Sequence, residues 1–116
     1  LSDAERAIVE QFVFASNDES SLRWLSDALA ATGAVHRATH DPAPLAQQVT
    51  ALRPSLVFVD FSGSLIDSAT RAVQVMRALA PQVPIIAVGR LAQPEGAIAA
   101  LRAGVRDFVD LAGEVH

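Results

Sequence analysis

Four short apolar runs punctuate the chain: Phe12-Val13-Phe14-Ala15, Leu56-Val57-Phe58-Val59, Ile85-Ile86-Ala87-Val88 and Phe108-Val109. Between them lie stretches whose apolar residues recur at helical spacing, so the pattern alternates strand and helix. Strands are predicted at about 11–15, 35–39, 56–60, 85–88 and 107–110. Helix 1 places Leu22, Leu25, Leu29 and Thr32 on one face, with Ser20 or Ser21 as its cap and Gly33 at its end. Pro42 and Pro44 break the chain before helix 2, about 45–52, which stops at Arg53-Pro54. Helix 3 covers about 67–79 after a Ser62-Gly63-Ser64 loop, and helix 4 about 94–103 with Gly104 at its end. Ser2-Asp3-Ala4-Glu5 has the form of a capping box and predicts a short helical extension over residues 1–10, ahead of one domain over 11–116.

Strict alternation implies right-handed crossovers and a doubly wound α/β fold, a five-stranded parallel sheet with helices on both faces. Strand 3 is apolar continuously, as expected of a strand covered on both sides. A fifth helix would normally follow strand 5, but only residues 111–116 remain. The final helix is therefore expected to be missing or truncated, leaving a flank for the N-terminal helix, a partner chain or an omitted segment.

Composition narrows the functional classes. Of 116 residues, 51% are hydrophobic and only 5% aromatic, so the core must be built from Ala, Val, Leu and Ile. A net charge of -4 without a basic stripe argues against nucleic-acid binding. The absence of cysteine removes disulfide and thiolate-metal chemistry, which favours a cytoplasmic domain over a small secreted scaffold. No apolar stretch approaches the roughly 20 residues of a membrane span. Residue 1 is Leu, which reads as a piece of a longer protein.

The fragments Arg53-Pro-Ser-Leu-Val-Phe-Val-Asp60, Pro84-Ile-Ile-Ala-Val-Gly89 and Ala103-Gly-Val-Arg-Asp-Phe-Val109 resemble, in order and interval, the CheY-like receiver domains of response regulators. The resemblance implies strand order 2-1-3-4-5 and a site at the carboxyl ends of the strands. In that family two acidic residues after strand 1 hold magnesium and an aspartate ending strand 3 accepts a phosphoryl group. A Ser or Thr ends strand 4 and a lysine ends strand 5. By position, the acid pair here is Asn17 and Asp18, the acceptor Asp60, the hydroxyl position Gly89 and the lysine position Leu111, or Asp110 with one residue of slippage. All nine basic residues are arginine, so no lysine exists anywhere in the chain. Asp18 and Asp60, helped by Asn17, are expected to bind magnesium weakly at best, and no cofactor is required. Phosphoryl oxygens would meet neither ammonium nor hydroxyl, although compensating charge is the main protein contribution to phosphoryl transfer.

Each candidate also has a plainer reading. Asp60 is either an acceptor or an inherited carboxylate capping backbone amides, and Asp18 either a ligand or the cap of helix 1. Arg90 is either a surrogate cation or solvated. Trp24, about 130° from the apolar face of helix 1, is expected to be partly exposed, as an interface residue or packed under the N-terminal segment. His36, His40 and His116 lack metal-site spacing and are assigned a surface role. Neither a nucleotide-binding loop nor a hydrolase triad is present.

A narrower resemblance rests on Ala15-Ser16-Asn17-Asp18, Val57-Phe58-Val59-Asp60-Phe61-Ser62 and Phe108-Val109-Asp110-Leu111, which look like the atypical receiver of CpaE/TadZ-type pilus assembly proteins. This implies a P-loop ATPase domain in the same full-length chain, and a non-catalytic module that docks or self-associates through helix 4, strand 5 or the uncovered flank. Polar placement in the cell would come through its partners. The alternative is a phosphorylatable receiver of a two-component phosphorelay that uses Asp60.

Overall fold

The computed structural model describes residues 10–62 and 66–111. Nine elements alternate: β1 (Glu10–Ala15), α1 (Glu19–Ala28), β2 (Gly33–Ala38), α2 (Pro42–Leu52), β3 (Leu56–Asp60), α3 (Ile66–Leu79), β4 (Ile85–Gly89), α4 (Pro94–Ala103) and β5 (Asp107–Asp110). The strands form one parallel sheet of order β2-β1-β3-β4-β5. The proposed N-terminal helix, Gly63, Ser64 and residues 112–116, His116 among them, lie outside the described residues.

Side chains of a strand alternate between faces, so each apolar run serves two layers at once. Val13, Ala15, Val57, Val59, Ile85 and Ala87 share one core cluster with Leu45 and Val49 of α2, Ala69, Ala72, Val73 and Met76 of α3, and Ala100 and Ala103 of α4. The many alanines let these three helices lie close to the sheet. On the opposite face Phe12, Phe14, Phe58, Val88 and Leu111 pack with Leu25 of α1. Phe58 meets Phe12 and Phe14 edge-on at centroid distances of 6.2 and 6.4 Å. Such pairs add about 1 kcal/mol beyond their burial. Among the described residues α1 is the only helix on this face, and none of the helices is long and apolar enough to cross a membrane.

Several boundaries differ from the sequence expectation. Helix α1 is capped by Asp18, the plainer of its two readings, rather than by Ser20 or Ser21, and ends at Ala28 rather than near Gly33. The turn after it closes with the Thr32 and Gly33 amides donating to the Leu29 carbonyl. Gly33 instead opens β2, where a Cβ would come within 2.2 Å of the Glu10 carbonyl oxygen on β1. Close strand approach, not a helix stop, requires glycine there. Pro42 and Pro44 fall inside the first turn of α2, where amides have no intrahelical partner, so neither proline interrupts the helix. Gly104, at φ 89°, does end α4 as its position suggested.

Candidate functional site

Three connections meet at the carboxyl end of the sheet, those after β1, β3 and β4, and they place Ser16, Asp18, Asp60, Ser62, Gly89 and Arg90 at one end of the domain. Asp60 is only 5% exposed. Its carboxylate receives the Ser16 hydroxyl at 2.7 Å on Oδ2, and on Oδ1 the Ser62 amide at 2.8 Å and the Ser62 hydroxyl at 2.5 Å. A carboxylate that accepts the amide two residues on is an Asx turn, and Asp60-Phe61-Ser62 is its sequence form. Ser16, 1% exposed, also accepts the Asp18 amide at 3.1 Å.

Asp18 turns toward its own helix. Its side chain accepts the Ser20 amide at 3.2 Å and the Ser21 hydroxyl at 2.6 Å. The Ser21 hydrogen bond is the main cause holding its carboxyl below the usual carboxylate value. Desolvation opposes this, while the Ser20 and Ser21 amides and the Arg90 charge add smaller pulls in the same direction. Arg90 is itself exposed. Asn17 is exposed and lines a separate cleft with His40 and Arg71.

This donor set does not suit magnesium, which takes near-octahedral oxygen ligands led by carboxylates. The buried atom facing Asp60 is a neutral hydroxyl, Asp18 is committed to α1, and no group of three acidic or imidazole side chains is assembled among the described residues. The positions expected from the sequence to correspond to a hydroxyl and a lysine are occupied by packing. At Gly89 a Cβ would stand 3.0 Å from the Phe108 ring, so the aromatic occupies the space of the missing side chain. Leu111 is buried with Phe12, Phe14, Leu25, Phe58 and Val88. Asp110, paired in register with Gly89, accepts the Leu91 amide at 3.3 Å. Trp24 is half-buried against the α1-side core.

His40 departs from the surface role expected of it. It is 6% exposed, and its Nε2 lies 2.9 Å from the Asp60 carbonyl oxygen. A carbonyl only accepts, so Nε2 carries the proton, and the buried Nδ1 has no partner among the described residues. No spacing in the sequence pointed to it, because the contact crosses β1 from the end of β2. His36 bonds the Gln11 side chain and takes no part.

No protein-family model and no curated protein matches the sequence. Solved structures do. A CheY-like protein, tadZ of Pseudomonas aeruginosa, superposes with a TM-score of 0.78 at 25% identity, over 89% of this chain and 87% of that one. A pilus assembly-related protein of Burkholderia pseudomallei gives 0.70 at 22% identity over 90% and 79%. A response regulator of Chloroflexus aurantiacus gives 0.75 at 20% identity over 90% and 86%. The chain has the CheY-like receiver fold and resembles tadZ.

Proposed function

We propose that this receiver fold works without phosphoryl chemistry, as a protein interaction module of the Tad-type pilus assembly kind. The observation that carries this is the Asp60 carboxylate, already bonded to two hydroxyls and an amide and paired with no cation among the described residues. A phosphoryl donor would have to displace Ser16 and Ser62, and the developing charge would then find a glycine and a leucine where stabilising groups belong.

The docking surface is proposed on α4 and the loop before it. Ile98 and Leu101, three residues apart and so on one side of the helix, are exposed, Leu101 at 69%, and Leu91 in the preceding loop is exposed as well. Exposed aliphatic groups beside polar neighbours suit a self-associating or docking face. A P-loop ATPase domain elsewhere in the same full-length protein, with delivery to the cell pole through partners, completes the proposal. Its support is the similarity to tadZ and to a pilus assembly-related protein.

Incubation with acetyl phosphate and magnesium, read by intact mass, is the test of the silent pocket. No mass increase is expected. An increase that vanishes in Asp60→Ala would establish the phosphorelay reading instead. Light scattering across a concentration series tests the surface: self-association should weaken in Leu101→Asp, and a strict monomer with no affinity for its ATPase domain would refute the docking role.

A further inference from the structure

A second polar feature lies at the same end of the sheet, on the side of α2 and α3. A cleft of about 520 Å³ opens between the connection after β1, the connection after β2 and α3, lined by Asn17, Thr39, His40, Asp41, Ser68 and Arg71. Its position is informative. The strand order reverses between β1 and β3, and open α/β sheets take ligands in the crevice beyond the strand ends at such a reversal. The volume falls within the range of small-molecule sites.

The lining has the chemistry of an anion receptor. Arg71 is exposed and makes no ion pair or hydrogen bond among the described residues, so its planar fork is available to a phosphate or carboxylate. Ser68 and Asn17 add neutral polar groups. Thr39 accepts the Asp41 amide through Oγ1, which leaves its own hydroxyl proton to donate. Below them sits His40, whose Nδ1 is buried and has no partner among the described residues. Native proteins leave few buried polar atoms unpaired, and the exceptions commonly mark a water, an ion or a functional group that completes them. His40 is held in this posture by its bond to the Asp60 carbonyl, not by the cleft itself.

We propose that this cleft binds a small ligand bearing a phosphate or carboxylate group, with Arg71 receiving the anion and Ser68, Thr39 and Asn17 hydrogen-bonding around it. Asp41 is the one acidic side chain in the lining, and it favours, without requiring, a ligand that carries a hydrogen-bond donor beside its anionic group. The cleft is distinct from the Asp60 carboxylate, whose oxygens are turned to Ser16 and Ser62. Ligand binding here requires no phosphoryl transfer.

The test is a titration followed by 1H–15N correlation spectra, with sodium phosphate, sodium acetate and sodium chloride at matched ionic strength as the three probes. Saturable shifts at Asn17, Thr39, His40 and Ser68 are expected with phosphate or acetate and not with chloride. Whichever of the two saturates at lower concentration identifies the anionic group. Arg71→Gln, a change at an exposed position, should raise the dissociation constant at least about tenfold, as loss of a charge-assisted bond predicts. Arg90→Gln, on the other side of the strand ends, should leave it unchanged. The proposal is overturned if both anions behave as chloride does, if Arg71→Gln binds as the parent protein does, or if Arg90→Gln is the variant that loses binding.

Discussion

Replacing Asp60 by alanine should destabilise this protein, and the sign of the change discriminates between the two readings of the site. In an acid pocket built to hold a metal, neighbouring carboxylates repel, and deleting one relieves that repulsion and raises stability. Here the carboxylate is an acceptor for three donors. The Ser62 amide and hydroxyl are only part-buried and can turn to water when Asp60 is lost, so their contribution is small. Ser16, at 1% exposed, cannot, and its hydroxyl proton is left without an acceptor. A hydrogen bond to a charged group contributes about 1.5–3 kcal/mol net, and stranding a buried donor adds to that, so a loss of about 3 kcal/mol is expected. For a domain of this size the melting temperature should fall by about 10 °C. Asp60→Asn, which keeps one acceptor oxygen for Ser62, should cost less. Urea denaturation at neutral pH measures both, and a cycle with Ser16→Ala should return a coupling of about 1–2 kcal/mol between the two side chains. If Asp60→Ala is neutral or stabilising, or if the coupling is absent, the carboxylate is not a structural acceptor and the interpretation of a closed pocket fails.

Gly89→Ser, which adds a hydroxyl at the end of β4, places a Cβ 3.0 Å from the Phe108 ring, so it should destabilise by about 1–3 kcal/mol in the same assay and confer no phosphorylation. Gly96→Ala should cost at least as much, because its Cβ would fall 2.5 Å from the Phe61 carbonyl oxygen, a backbone atom that cannot swing aside. Asp18→Ala removes the cap of α1 and should cost about 1 kcal/mol at neutral pH, read by denaturation. The Asp18 carboxyl lies below its ordinary value of 3.8 in the folded protein, so its stabilisation is complete above that pH and is lost as pH falls through the lower folded value. The difference between Asp18→Ala and its parent should therefore shrink only below about pH 4 in a stability profile, and a difference that closes near neutrality would contradict the assignment.

Asp60, Gly89 and Leu111 could be placed from the strand endings alone, because short apolar runs at regular intervals announce where each strand stops. What surrounds Asp60 was only partly legible. The spacing Asp60-x-Ser62 is an Asx-turn signature and could have been read as one, and Ser16 stands beside a residue that was considered, yet nothing local says that its hydroxyl points at a carboxylate 44 positions away. His40 carried no signal, since its partner is a backbone carbonyl on a strand it does not neighbour in sequence.

The order of strands and helices and the absence of lysine were set by the sequence through periodicity and residue type, which act over a few positions. Tertiary structure alone decided that Gly33 serves a strand contact and not a helix end, that His40 is buried against the Asp60 carbonyl, and that the Ser16 hydroxyl closes on Asp60. Those outcomes depend on which chain segments the parallel sheet brings side by side, and hydrogen-bond partners in such a sheet are chosen across crossovers rather than along the chain.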